Sequence, residues 1–238
     1  LSENESVLVS IFINPTQFDD KKDLEKYPVS LSKDLKKVSQ FDKNIYVFTP
    51  SVKEVYGENI NSKNFDFKGL DLVMEGEKRK NHFNGVATVV EYFLETFSPT
   101  KAYFGEKDYQ QLRIVSQLSE LLNFPTKIIG CPIIRNSDGL AMSSRNSLLT
   151  NEEKKIAINL YKILIMVKEL SKKQNYETIK AKVLLFLNKV PKLKLEYFVI
   201  ADNYSLKEFK PYQKIILGRA FIAAYVGKIR LIDNINLS

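Results

Sequence analysis

The chain has 238 residues, with 36 basic and 28 acidic side chains for a formal charge of +8, one cysteine, one histidine and no tryptophan. A lone cysteine forms no intrachain disulfide, which fits a cytoplasmic protein, and one His with one Cys cannot supply a His/Cys metal cage, so no metal-ligating residues are assigned. No apolar run is long enough for a membrane span, there is no secretory signal pattern, and the lysines are scattered rather than gathered with aromatics into a nucleic-acid platform, so neither a membrane nor a nucleic acid is expected as a partner.

Residues 7–13 read as a strand, an unbroken apolar run of the kind buried in a parallel sheet, ended by Asn14-Pro15. Residues 23–40 read as a helix in two parts, interrupted at Tyr27-Pro28. Short strands are expected at 45–48 and 70–74, and a polar, cationic loop at 75–85. Val86, Val89, Val90, Phe93, Leu94 and Phe97 then recur at helical spacing. A strand at 102–104, a helix at 109–122 with Leu112, Val115, Leu118 and Leu122 inward, and a strand at 127–130 complete an alternating pattern. That rhythm implies a parallel α/β sheet whose ligand lies beyond the carboxyl ends of its strands. After about residue 134 the character changes. Thr150-Asn151-Glu152-Glu153 has the pattern of a capping box, opening a helix with Ile156, Leu160, Leu164, Val167 and Leu170 on one face. A second helix at 176–187 and strands at 195–201, 214–217, 220–226 and 229–232 suggest a smaller α+β part. The expected division is therefore 1–133 and 134–238.

The most informative stretch is Phe104-Gly105-Glu106-Lys107-Asp108-Tyr109-Gln110-Gln111. A glycine turn between strand and helix brings N–H groups, a cation, a carboxylate and amides to a helix start, where anions are stabilised. Lys107 suits a triphosphate and Asp108 suits ribose hydroxyls, or the two are a solvated charge pair at a helix start, where Asp is favoured. Gln111 lies one helical turn after Asp108 and projects to the same side. Met142-Ser143-Ser144-Arg145-Asn146 offers two hydroxyls and a guanidinium fork, fit for pyrophosphate or equally for a turn that caps a helix. Gln17 sits at a strand end, as a substrate-binding amide or a loop cap. Arg79 and His82 can hold phosphate or carboxylate, or the histidine can be a structural hydrogen-bonding group. There is no P-loop, dinucleotide fingerprint or serine-hydrolase elbow.

Taken in order, these segments resemble the pantoate–β-alanine ligase (pantothenate synthetase) family. The matching runs are Ser10-Ile11-Phe12-Ile13-Asn14-Pro15-Thr16-Gln17-Phe18, Asp23-Leu24 with Tyr27-Pro28, 75–86, 104–112, 138–146, and Val226-Gly227-Lys228-Ile229-Arg230-Leu231-Ile232-Asp233-Asn234. The resemblance implies a Rossmann-like nucleotidyltransferase domain followed by a smaller C-terminal domain, usually in a homodimer. It implies condensation of pantoate with β-alanine at the expense of ATP, with Mg2+, through an enzyme-bound pantoyl adenylate. It places Gln17 and Gln111 on pantoate, and Lys107, Ser143, Ser144 and Arg145 on the ATP phosphates as the catalytic group. It places Gly105 and Asp108 at the ribose, Ile134 and Met142 near adenine, and Asn14, Glu75, Arg79 and His82 around the rest of the pocket.

Two departures stand out. Arg79-Lys80-Asn81-His82-Phe83 replaces the family's usual Arg-Pro-Gly-His-Phe. The family's opening strand and its His-x-Gly-His motif have no counterpart, since His82 is the one histidine. The expectation is a ligase lacking its first βα unit, inactive as this stretch alone. A nucleotidyltransferase acting on another small acid and a basic nucleic-acid-binding protein are the competing readings.

Overall fold

The computed structural model describes residues 3–18, 24–25, 27–28, 30–41 and 44–238. The chain forms two compact units, Leu1–Phe65 with Arg79–Ser98, and Asp66–Lys78 with Pro99–Ser238.

In the first unit β1 (Val7–Ser10) pairs in parallel with β2 (Ile45–Phe48), Val7 opposite Ile45 and Ser10 opposite Phe48. The strand read over 7–13 stops at Ser10, although Ile11 still donates its N–H to Phe48 O at 2.9 Å. Asn14 then caps a 3-10 turn, Pro15–Gln17, with proline at the start, where its missing N–H costs nothing. The expected two-part helix survives as α1 (Leu31–Val38), and its start at Asp23 lies outside the described residues. Next comes α2 (Val52–Tyr56), opened by a Ser51–Glu54 capping box. After α3 (Met74–Lys78), which belongs to the second unit, the chain returns as α4 (His82–Phe97). Helix α4 buries Val86, Ala87, Val89, Val90 and Leu94. Phe93 meets Phe12 and Phe48 edge to face, and Phe97 also meets Phe48.

The second unit contains a βαβ element: β3 (Lys101–Gly105), α5 (Tyr109–Leu121) and β4 (Lys127–Cys131), with Lys101 opposite Lys127 and Gly105 opposite Cys131 in parallel register. The parallel pairing expected from the alternating pattern is thus present in each unit. Leu112, Val115 and Leu118 are buried as read, joined by Ile114. Downstream are α6 (Asn151–Ala157), with the capping box at Thr150 and Glu153, then α7 (Asn159–Ser171) and α8 (Tyr176–Asn188). They cover one face of an antiparallel sheet, β5 (Leu193–Asp202), β6 (Gly218–Val226) and β7 (Ile229–Asn236), in that order. Leu160, Ile163, Leu164, Val167, Ile179, Val183, Ile200 and Ile222 form its dry interior. Each such side chain contributes about 1.5–3 kcal/mol by leaving water. Strand residues alternate in direction, so Tyr197, Phe221, Arg230 and Asn234 turn to the opposite face.

Three expectations fail for identifiable reasons. Residues 70–73 form turns and bends and Met74 opens α3, so no strand is present. Lys68, Gly69 and Met74 have positive φ, and Leu70 and Met74 are buried in the second unit without strand partners. Residues 75–85 are not one loop, because α3 ends at Lys78 and α4 begins at His82, with left-handed Asn81 at the junction. Polar helix ends carry no apolar period, so the pattern exposed α4 only from Val86. Residues 214–217 form no strand: 214 and 215 are irregular and 216 and 217 are bends, with Leu217 at φ 49 and both Ile216 and Leu217 exposed.

Candidate active site

In the first unit the 14–18 turn is fastened to the start of α4. Asn14, 2% exposed, donates from Nδ2 to Gly85 O at 2.9 Å, while its Oδ1 accepts from the Thr16 N–H and hydroxyl and from the Tyr56 hydroxyl. Gly85 is required for this approach, since a Cβ there would lie 2.7 Å from Thr16 O. Gln17 O accepts from Arg79 Nη2 at 2.9 Å and bonds His82 Nδ1 at 2.8 Å. A carbonyl only accepts, so the His82 proton sits on Nδ1 and Nε2 is left to accept from Arg79 Nη1 at 3.3 Å. Asn14, Gln17, Arg79 and His82 are therefore brought together, with the buried histidine orienting the turn from the first residue of a helix rather than from the expected loop. Among the described residues the Gln17 carboxamide itself is tied only by a long 3.4 Å bond from Asn14.

In the second unit Gly105 ends β3, and Glu106–Asp108 form a 3-10 turn that delivers the chain into α5. Gly105 has an ordinary φ of −71, and a Cβ added to it would meet nothing within 4 Å. Asp108 occupies the N-cap position of α5 without making a side-chain cap bond, and it faces Lys107 Nζ at 3.4 Å. The charge pair weighed for Lys107 and Asp108 is thus present. The two adjacent glutamines behave differently. Gln110, buried, donates to Leu70 O and Val73 O at 2.8 Å and accepts from Glu75 N at 3.0 Å, satisfying backbone groups that the 70–75 turns leave unpaired. Gln111 is half-buried, and among the described residues nothing holds its carboxamide.

Glu75, read as a pocket residue, is buried and grips Arg230 through two 2.8 Å bonds while accepting from the Tyr197 hydroxyl at 2.6 Å. Arg230 also reaches Glu196. Burial opposes the Arg230 charge, yet bonds to the two carboxylates outweigh it and raise its pKa. Burial, reinforced by Glu75, pushes the Tyr197 hydroxyl well above the usual tyrosine value.

The second candidate segment begins at Ile134. Met142 N donates to Ile134 O at 2.9 Å, and Arg135 bridges Ala141, so the Ile134 and Met142 side chains stand side by side and exposed. Ser143 caps the 3-10 helix Ser144–Leu148 by accepting from Arg145 N at 3.3 Å, which leaves its hydroxyl proton free to be donated. The Ser-Ser-Arg cluster is thus the start of a short helix, and the capping role weighed for it is present.

Both segments are moored to β7. Asp233 receives Arg135 through bonds of 2.6 and 2.9 Å, with the Arg135 guanidinium 4.1 Å above the Tyr161 ring. Burial pushes the Asp233 carboxyl up, and Arg135, Asn234 N–H and Lys107 draw it back only in part. Asn234 Nδ2 donates to Glu106 O at 2.8 Å and Lys107 O at 2.9 Å. Arg219 spans Asn234 Oδ1 and Glu106 Oε2 and lies 3.7 Å over the Tyr109 ring. Sequence reasoning gave none of Gln110, Arg135, Arg219 or Asp233-Asn234 a role. Of these, Asp233 carries a local signal, polarity at a strand position that alternates with apolar Leu231 and Ile235.

The family described as Pantoate-beta-alanine ligase matches residues 1–236. Among curated relatives, the pantothenate synthetase of Christiangramia forsetii is 48% identical over 238 residues, covering 100% of this chain and 84% of its own. That of Flavobacterium psychrophilum is 43% identical over 237 residues with the same coverage. The crystal structure of pantothenate synthetase from Thermus thermophilus superposes with a TM-score of 0.93 at 34% identity, over 99% of this chain and 85% of that one. A pantoate–β-alanine ligase from Francisella tularensis, described as complexed with β-γ ATP and β-alanine, gives a TM-score of 0.77 at 34% identity, over 99% and 81%. With a matching family profile over almost its whole length and relatives well above 30% identity, this chain belongs to the pantoate–β-alanine ligase family.

Proposed function

We propose that the protein joins pantoate to β-alanine in two steps. A pantoate carboxylate oxygen attacks the α-phosphorus of ATP, forming pantoyl adenylate and releasing pyrophosphate. The β-alanine amine then attacks the acyl carbon, forming the amide, releasing AMP and giving up a proton. The Francisella relative's ATP and β-alanine support the choice of substrates. The observation that carries the site reading is that the Gly105–Asp108 turn and the 134–145 segment are both moored to neighbouring residues of β7.

In this reading Lys107, Ser143, Ser144 and Arg145 hold the phosphates and stabilise charge as pyrophosphate leaves, a contribution of about 10²–10³ in rate for one good donor. Gly105 and Asp108 take the ribose, Ile134 and Met142 the adenine, and Gln17 and Gln111 pantoate, with Asn14, Glu75, Arg79 and His82 completing the pocket. The open space at Gly105 and, among the described residues, the unheld Gln111 carboxamide support this assignment. Among the described residues no group of three His, Cys, Asp or Glu can cage a metal. Mg2+ belongs to this reading as the companion of ATP, held mainly by phosphate and water. The division at 133/134, a homodimer and a cytoplasmic location complete it. No helix among the described residues is long and apolar enough to cross a membrane.

The test is ATP–pyrophosphate exchange by the full-length protein against a panel of small acids, followed by pantothenate formation on adding β-alanine. Exchange that requires pantoate is the expected result. Equal exchange with unrelated acids, or with CTP in place of ATP, overturns the substrate assignment, and sedimentation at working concentration decides the dimer.

A further inference from the structure

Asn234 is 2% exposed, and every hydrogen-bonding group of its side chain is committed. Its two amide protons go to consecutive backbone carbonyls, Glu106 O at 2.8 Å and Lys107 O at 2.9 Å, and its oxygen accepts from Arg219 Nη1 at 2.6 Å. Arg219 Nη2 in turn holds the Glu106 carboxylate at 3.0 Å, and its guanidinium plane covers Tyr109, the first residue of α5. The turn carrying Lys107 is therefore gripped at its backbone, at its Glu106 side chain and at the residue that follows it. Two adjacent carbonyls facing one side chain require a paired donor of short reach. Asn supplies that, Asp supplies acceptors only, and Ser supplies a single proton. A buried asparagine on a strand face costs free energy unless satisfied, so its presence here calls for the partners it has.

We infer that Asn234 is a positioning residue for catalysis: it fixes the Lys107 backbone so that the ammonium group meets the ATP phosphates. The preceding residue, Asp233, points the other way and holds Arg135 at the foot of the 134–145 segment, so one strand dipeptide sets both phosphate-binding segments. The inference rests on the reading of Lys107 as a phosphate-binding cation, whereas the grip itself does not.

The test is Asn234→Asp, which keeps the acceptor for Arg219 and loses both donors. Hydrogen exchange at the amides of residues 106–110 should accelerate, while protection in β5 and β6 is retained. Unchanged exchange there overturns the positioning role whatever the activity. In steady state kcat should fall on the order of 10–100-fold with the KM for pantoate nearly constant, the scale of a small misplacement of a reacting group. In a Lys107→Ala background the same substitution should cost almost nothing further, because the two act through one group. Full multiplication of the two losses, or a fall in activity that merely tracks the folded fraction, overturns the proposal. Should Asn234→Asp not fold, Asn234→Ser carries the same measurements without added charge. Absence of pantoate-dependent exchange in the unsubstituted protein counts against the functional reading instead, and the amide-exchange arm still decides the grip.

Discussion

The 14–18 turn and the 105–108 turn both follow the end of a parallel strand, yet they are held in different ways. The first is held within its own unit, by its proline start and buried Asn14 and by Gly85, Arg79 and His82, which lie 71, 62 and 65 residues from their partners in the turn. The second is held from far along the chain, by Asn234 and Arg219 of the antiparallel sheet. Local chemistry can shape a turn, but holding one in place takes a rigid element behind it. In this protein that element is β7.

The largest effect expected is on the remote mooring. Asp233→Ala leaves the Arg135 guanidinium, 16% exposed, without its carboxylate. Breaking a buried pair on one side costs about 3–5 kcal/mol, so thermal unfolding should shift well down. A shift of only a degree or two would mean that the 134–145 segment does not depend on β7, and the contrast between the two turns would collapse. Next is Lys107→Ala, which should lower pantoate-dependent pyrophosphate exchange by about 10²–10³ while leaving the melting temperature nearly unchanged. Near-normal turnover removes Lys107 from the phosphate site.

The first turn should break differently. Gly85→Ala drives a methyl group onto the Thr16 backbone, an overpacking cost of roughly 1–3 kcal/mol. Because Gln17 rides on that turn, the KM for pantoate should rise more than kcat falls. A wild-type melting temperature and KM together would show that Gly85 does not set the turn. A pH limb separates the regions further. The Tyr197 pKa is raised above 10, so the folded state keeps a proton that the unfolded state loses. The stability it contributes is present below pH 10 and drains away as pH climbs past it. Tyr197→Phe should flatten the alkaline decline in urea titrations, and an unaltered slope would place that decline elsewhere.

The two turns also differ in how far a sequence discloses them. Asn14-Pro15, Gly105-Glu106-Lys107-Asp108 and Ser143-Ser144-Arg145 are compact chemical signatures, and reading them located both turns and the start of the 144–148 helix. The helices of the second unit were legible because their apolar faces repeat every turn, and the Thr150 capping box because its partner is three residues away. Residues 70–74 misled because an apolar run is common to strands and to buried turns, and what separates them is the positive φ at Lys68, Gly69 and Met74 together with the Gln110 side chain from α5. Asn234 was invisible for the same reason on a longer scale: its partners lie 127 and 128 residues away. No periodicity spans that distance, and a polar residue in a strand looks like a solvent-facing one until the opposing turn is in place.

Gly105 offers the finest discrimination between a turn shaped for itself and one shaped for a ligand. Its φ of −71 is open to any residue, and nothing among the described residues lies near where its Cβ would be, so none of them demands glycine there. Gly105→Ala should leave stability unchanged or raise it by about 0.4–1 kcal/mol, through the narrower unfolded ensemble. If the ribose of ATP packs against that Cα, the added methyl group occupies its place, and the ATP dissociation constant should rise about tenfold, equivalent to about 1.4 kcal/mol. Gly85→Ala predicts the converse pattern, a loss of stability that reaches the substrate only through the backbone it displaces. ATP affinity untouched by Gly105→Ala would put the ribose elsewhere, and the glycine would then need an explanation that neither its dihedral angles nor its neighbours provide.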